Sequence, residues 1–215
     1  MVPSSFTYAL GLRFDLITDP QRRDAAAARL AQLVHEAGHR IATGFVGTPL
    51  VSDALSAGGQ VSTAYDLILE RECPSWLYQV EQGATTVWER WDSLLPDGTV
   101  NPGQMTSFNH YALGAVADWM HRVVGGLAPD APGYRRIRFA PRPGGGLTSA
   151  SARQLTAYGE AAISWRIADG QLHVEVTVPV GAEAVLDLEG SREETLSPGI
   201  HTRVVEVPVG VGAPV

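Results

Sequence analysis

Gly126-Leu127-Ala128-Pro129-Asp130-Ala131-Pro132-Gly133 is the stretch at which this chain changes character. Gly and Pro crowd it, and such clusters punctuate a chain more strongly than any other residues. On its N-terminal side apolar residues recur every three to four positions, the period of helices packed on a core. On its C-terminal side they recur at every second position, the period of strands. The chain therefore reads as α then β and as multidomain, with residues 1–128 forming a helical unit and 129–215 a strand unit.

Downstream, Tyr134 to Ala140, Gly146 to Ala157, Gly159 to Ala168, Gln171 to Val178, Ala182 to Leu188 and Ile200 to Val207 read as strands. Leu172, Val174, Val176 and Val178 alternate with His173, Glu175 and Thr177, as a half-buried strand requires. Ala168-Asp169-Gly170 carries the turn chemistry of a tight hairpin. Short strands with regular turns predict a small antiparallel β-sandwich. Gly144-Gly145-Gly146 has no Lys after it and lies between strands, so it reads as a turn and not as a phosphate cradle. The tail, Val207 to Val215, is expected to fray.

Upstream, the helices begin with an apolar stretch over residues 3 to 16. Asp19-Pro20 is a helix opening, with Asp19 as cap and Pro20 in the first turn. The helix that follows carries Ala26, Leu30, Leu33 and Val34 on one face and stops at Gly38. Further helices run from Pro49 to Gly58-Gly59, from Val61 towards Cys73-Pro74, and from Ser75 to Gln82. A longer one is predicted from Thr106 to about Leu127, with Phe108, Tyr111, Ala112, Ala115, Val116, Trp119 and Val123 as one stripe. Helices joined by Gly-rich turns fit antiparallel hairpins of an α/α toroid.

The composition narrows the function classes. A chain of 215 residues with 45% hydrophobic and 18% charged residues is an ordinary globular one. Its net charge of -7 argues against a nucleic-acid partner, and its basic residues are scattered apart from Arg135-Arg136-Arg138. Cys73 is the single cysteine, which removes any intrachain disulfide framework. No apolar run approaches the roughly 18 residues of a membrane span, so no membrane partner is expected. With no signal segment at the start, the location is read as cytoplasmic, secretion staying open if a signal precedes this sequence.

Candidate chemistry concentrates between Gly83 and His110. Trp88-Glu89-Arg90-Trp91 sets a carboxylate between aromatic rings, which combines an ionisable group with a sugar-stacking surface. A turn-rich loop follows, with Pro96-Asp97-Gly98 and Asn101-Pro102-Gly103, and then Asn109 and His110. Loops held by rigid elements are where binding and catalytic groups gather. The competing reading makes Glu89 a surface carboxylate paired with Arg90 or Arg40, and makes either Trp part of the core. A second pattern, His35-Glu36-Ala37-Gly38-His39, matches the H-E-x-x-H of zinc proteases. Gly38 interrupts the helix before His39, so the two His do not share a helical face, and no metal and no cofactor are assigned.

Three stretches carry a family resemblance. Gly83-Ala84-Thr85-Thr86-Val87-Trp88-Glu89-Arg90-Trp91, Ser107-Phe108-Asn109-His110-Tyr111-Ala112 and Ala140-Pro141-Arg142-Pro143-Gly144-Gly145-Gly146-Leu147 resemble the C-terminal part of bacterial α-L-rhamnosidases, glycoside hydrolase family 78. The likeness extends from Phe6-Thr7-Tyr8-Ala9-Leu10 through Thr43-Gly44-Phe45-Val46-Gly47-Thr48 to about Val180. It implies the later half of an (α/α)6 barrel followed by a small β-sandwich, and terminal α-L-rhamnosides as substrates. It also implies Glu89 as general base of an inverting hydrolysis, His110 as a hydrogen-bonding partner of the sugar, and Trp88 and Trp91 as walls. The family's general acid belongs to the earlier part of the barrel, which the resemblance leaves outside this sequence. A half toroid would leave apolar faces bare, so self-association or a missing N-terminal half is the implied partner. The alternative function is a non-catalytic carbohydrate-binding or structural remnant of such an enzyme.

Overall fold

The structure, a computed structural model, describes residues 4–207; the part of the expected frayed tail beyond Val207, and residue 3 of the first expected helix, lie outside them. The chain divides into two compact units, Met1–Val116 and Ala117–Val215. The junction read from composition, at 128/129, lies within the second unit.

The first unit is helical. Helices α1 (Ser5–Arg13), α2 (Pro20–Glu36), α3 (Thr48–Ala57), α4 (Val61–Leu69) and α5 (Trp76–Glu81) follow one another, with glycines marking the α2–α3 and α3–α4 connections. Asp19 caps α2 as its position requires, its carboxylate accepting from the Arg22 N–H at 2.8 Å. The Ser75 hydroxyl does the same for α5, accepting from the Tyr78 N–H. Ala9 and Leu12 of α1, Leu30 and Val34 of α2, and Leu55 and Tyr65 of α3 and α4 are buried. Each helix offers one apolar stripe, and α1 packs against both α2 and α3 while α3 packs against α4.

The long helix expected from Thr106 is not formed as such. Helical structure starts at Ala112 and passes from a 3-10 turn, Ala112–Ala115, through α6 (Val116–Trp119) into a π-helical turn, Met120–Val124. The reason is tertiary pairing. Residues 107–110 exchange backbone hydrogen bonds with residues 87–89, Glu89 N–H to Ser107 O and His110 N–H to Val87 O, both at 2.8 Å. Those groups are thereby drawn away from a helical ladder. Met105 has a φ of 61°, a left-handed conformation incompatible with a helix running in from the loop. The anticipated stripe is correspondingly wrong at its start, for Phe108 and Tyr111 are exposed and the buried residues are Leu113, Trp119 and Val124.

Among the described residues of the second unit, eight strands form two four-stranded sheets. Strands β3 (Ser149–Thr156), β4 (Gly159–Ala168), β5 (Gln171–Val178) and β8 (Gly199–Glu206) make an antiparallel sheet in that order. Asp169 and Gly170, with φ of 51° and 73°, form the two-residue β4–β5 turn, the positive pair that an Asp-Gly turn provides. Ile163 and Trp165 of β4 face the same side as Val176 and Val174 of β5, and all four are buried. The other sheet, β1 (Leu127–Pro129), β2 (Arg136–Phe139), β6 (Glu183–Leu186) and β7 (Glu194–Leu196), is mixed, because β2 and β6 run parallel. A parallel pair needs a long crossover, and here the β3, β4 and β5 strands supply it. Gly144-Gly145-Gly146 is a turn, closed by Leu147 N–H to Gly144 O at 3.0 Å.

Candidate active site

The pairing of residues 87–89 with 107–110 builds the site. It sets Glu89 beside the segment that carries His110, although 20 residues of loop separate them. A side-chain bond from the Thr86 hydroxyl to Phe108 O and a long contact of 3.4 Å from Ser107 N–H to Glu89 Oε2 reinforce it. The intervening loop is anchored at several points. Leu94 and Val100 form a bridge, Tyr78 donates to Leu94 O at 2.8 Å, and Asn101 N–H donates to Ser93 O at 2.9 Å.

Glu89 lines an open cavity of about 470 Å³ whose apolar wall is Phe45, Trp91, Met105 and Leu113 and whose other charged members are Arg90 and Asp92. Both cations that could have neutralised it are engaged elsewhere. Arg90 grips Asp92 with two bonds, 2.6 Å from Nε and 3.1 Å from Nη2, and donates a third to Gln104 O. Arg40 pairs with Glu72 at 3.2 Å. Glu89 therefore has no ion pair among the described residues, and the reading of it as a paired surface carboxylate loses its partners.

His110 stacks between two rings, Phe45 at 5.1 Å and 18° and Tyr111 at 5.3 Å and 6°. Its Nδ1 accepts from the Ala112 N–H at 3.3 Å, which leaves Nε2 as the nitrogen available to a ligand. The two Trp part company. Trp91 lines the Glu89 cavity and meets Trp76 edge to face at 5.3 Å, and Trp76 is fixed by its own bond to Leu113 O. Trp88 is 3% exposed and packs edge to face on Phe108, so it supports the Glu89 segment from within the core.

The two carboxyls of the following loop, Asp92 and Asp97, are both engaged. Asp92 accepts from Arg90 twice and from Asn101 Nδ2 at 2.9 Å, which occupies its oxygens. The Thr99 hydroxyl and N–H hold Asp97 below the usual carboxylate range. Burial first, and then the neighbouring Asp92, push the Cys73 thiol up against the opposing pull of Arg90, the opposite of the lowering that activates a thiol. The H-E-x-x-H stretch is split as expected, since α2 ends at Glu36 and His39 adopts a φ of 58°. That turn brings His39 within 3.4 Å of His35, yet among the described residues no three His, Cys, Asp or Glu side chains are placed to hold a metal. From sequence, Asp92 enters only as a second carboxyl that is set aside, Asn101 only as a turn residue and Phe45 only as part of the Thr43 to Thr48 motif; Met105 is not singled out.

A family model described as the bacterial alpha-L-rhamnosidase 6 hairpin glycosidase domain matches residues 3–124. A second, the bacterial alpha-L-rhamnosidase C-terminal domain, matches residues 126–203. The chain belongs to the α-L-rhamnosidase family. An α-L-rhamnosidase of Formosa agariphila is 42% identical over 88% of this chain and 20% of its own length. The structure of the Aspergillus terreus α-L-rhamnosidase superposes with a TM-score of 0.91 at 42% identity, covering 94% of this chain and 24% of that one. The structure of the Streptomyces avermitilis α-L-rhamnosidase complexed with L-rhamnose superposes with a TM-score of 0.87 at 34% identity, covering 94% of this chain and 21% of that one. The chain thus spans about a fifth to a quarter of the length of these rhamnosidases.

Proposed function

We propose that this chain supplies the water-activating side of an α-L-rhamnosidase site, with Glu89 as general base in an inverting hydrolysis of terminal α-L-rhamnosides. The observation that carries the reading is the Glu89 carboxylate, without an ion pair among the described residues, at a cavity whose Phe45 wall stacks on the His110 ring and leaves its Nε2 free. In an inverting glycosidase the base deprotonates a water on one face of the sugar ring. A second carboxyl about 6.5–9.5 Å away protonates the leaving oxygen. Asp92 and Asp97 are both committed to other partners, so the acid belongs to a part of the rhamnosidase outside this sequence. His110 Nε2 holds a ring hydroxyl, and Trp91 offers its edge or face to the sugar.

The test is hydrolysis of an aryl α-L-rhamnoside beside an L-rhamnose titration, using the chain, Glu89→Gln and His110→Ala. The expected result is no turnover by the chain alone and rhamnose binding weakened in His110→Ala. Turnover should appear when the preceding segment of a full-length relative is added, with β-L-rhamnose as first product, and should vanish in Glu89→Gln. Turnover that survives Glu89→Gln would overturn the base assignment. Absence of both turnover and binding in the complemented protein would favour a structural remnant.

A further inference from the structure

The His110 N–H donates to Val87 O at 2.8 Å, which fixes where the backbone of this residue lies but not how its ring is turned. The torsion that turns an imidazole on its Cβ has a broad preference, so a histidine ring needs outside contacts to hold one plane. The hydrogen bond from the Ala112 N–H to Nδ1, at 3.3 Å, is long and holds one atom of the ring without holding its plane. It does fix the tautomer. A ring nitrogen that accepts carries no proton, so in the neutral imidazole the proton is on Nε2. His110 therefore meets a ligand as an N–H donor, and the line along which it donates lies in the plane of the ring.

Two rings stack on that plane, and they are not equivalent. Tyr111 is the next residue in the chain and is 88% exposed, so most of its ring meets solvent. Phe45 is half-buried and comes from the turn between α2 and α3, which is tied down on both sides. The Gly47 and Thr48 N–H groups both donate to Gly44 O at 2.9 Å. The buried Thr48 hydroxyl lies 3.0 Å from Gly44 O and 3.1 Å from Thr43 O. A Cβ at Gly47 would stand 2.8 Å from Phe6 of α1 and 2.9 Å from the Thr43 Cβ, so the turn is closed down onto its neighbours. From this braced position the Phe45 ring reaches His110 at 5.1 Å and 18°, and it also lines the Glu89 cavity. One side chain thus connects the helices to both the imidazole and the wall around the carboxylate.

We propose that Phe45 is a positioning residue of this site: its ring holds the His110 imidazole in the plane that aims the Nε2–H at a sugar oxygen. The inference rests on the reading of the Glu89 cavity as a rhamnoside site. It asks for no contact between Phe45 and the sugar. A bond from His110 to a ring hydroxyl is present in bound substrate and transition state alike, so loosening the ring raises KM and leaves kcat close to its parental value. The size is that of one aromatic stack, about three- to tenfold.

The test is a double-mutant cycle on KM for an aryl α-L-rhamnoside, with Phe45→Leu, His110→Ala and the pair, in the chain complemented with the preceding segment of a full-length relative. Phe45→Leu should raise KM about three- to tenfold, and Phe45→Tyr, which keeps the ring, should bring it back to within about twofold of the parent. Once His110 is alanine, Phe45→Leu should add nothing. A second readout needs no substrate. In the isolated chain at about pH 9, above the usual imidazole range, NMR of the ring nitrogens should find the His110 proton on Nε2, and Phe45→Leu should bring in a share of the Nδ1–H form as the ring leaves Ala112. An effect of Phe45→Leu that persists beside His110→Ala would make Phe45 a direct sugar contact or a packing residue, and would overturn the proposal. An unchanged KM, a loss confined to kcat, or an unaltered tautomer would overturn it too. No turnover by the complemented parent would instead overturn the reading of the Glu89 cavity, with the NMR measurement still deciding whether Phe45 holds the ring.

Discussion

Gly58 closes α3 with a φ of -91° and a ψ of 12°, values an alanine adopts without strain. At such a site Gly→Ala ordinarily stabilises, by about 0.4–1 kcal/mol, through the unfolded chain. Here the opposite is expected. A Cβ at Gly58 would stand 2.4 Å from the Ala27 Cβ of α2 and 3.2 Å from Ala54 O. Carbon atoms rest at about 3.5–4.0 Å, so the two methyls overlap by more than about 1 Å. Ala27 is 1% exposed and has no rotamer to swing, so relief requires α2 and α3 to separate. Overpacking of this kind costs about 1–3 kcal/mol. The net expectation for Gly58→Ala is a loss of about 2 kcal/mol, or a fall in Tm of roughly 4–8 °C for a chain of this size. Urea and thermal unfolding followed at 222 nm measure it. Ala27→Gly alone should cost about 1 kcal/mol in helix propensity. The double variant exchanges the two methyls across the contact and should be no less stable than Ala27→Gly, a favourable coupling of about 2 kcal/mol or more. A stable Gly58→Ala, or effects that add to within about 0.5 kcal/mol, would refute the packing argument.

Two further expectations concern the strand unit. Trp165 is buried and donates to Val124 O at 2.7 Å, so Trp165→Phe leaves that carbonyl unpaired and should cost about 1–3 kcal/mol in urea unfolding; a loss below about 0.5 kcal/mol would show that the bond contributes little. Burial pushes the Asp130 carboxyl up, but hydrogen bonds from Arg138 and Arg136 outweigh it and hold the folded value below the ordinary one. The resulting stability is fully present above the unfolded value, about pH 4, and is lost as pH falls through the lower folded value. Asp130→Asn should cost about 1–2 kcal/mol at pH 7, and its Tm should fall less than that of the parent between pH 5 and pH 3. Parallel pH profiles would count against it.

Much of the architecture was legible because it depends on neighbours in the chain. The Asp19 cap, the Asp169-Gly170 turn and the alternation of Leu172, Val174, Val176 and Val178 are local facts, decided by backbone geometry within a few residues. The helix read from Thr106 shows where local reading stops. Its stripe had the correct period, but residues 107–110 found better backbone partners in residues 87–89, and no propensity carries that information. The parallel β2–β6 pair escaped for the same reason, since its partners are more than 40 residues apart in sequence.

The site divides along the same line. Glu89, His110 and the two Trp stood out as residue types in motifs, and the sequence by itself determined which family they belong to and that a helical unit precedes a strand unit. Only the tertiary structure decided which of them face a cavity. It buried Trp88 on Phe108, put Trp91 at the wall, and brought Phe45 across from a distant turn to stack on His110. It also gave Arg90 to Asp92 and Arg40 to Glu72, leaving Glu89 unpaired. Spacing along a chain fixes which groups can cap, turn or alternate, because those bonds close over a few residues. Which carboxylate keeps its cation is settled by distances in space, and those exist only once segments far apart in sequence have paired.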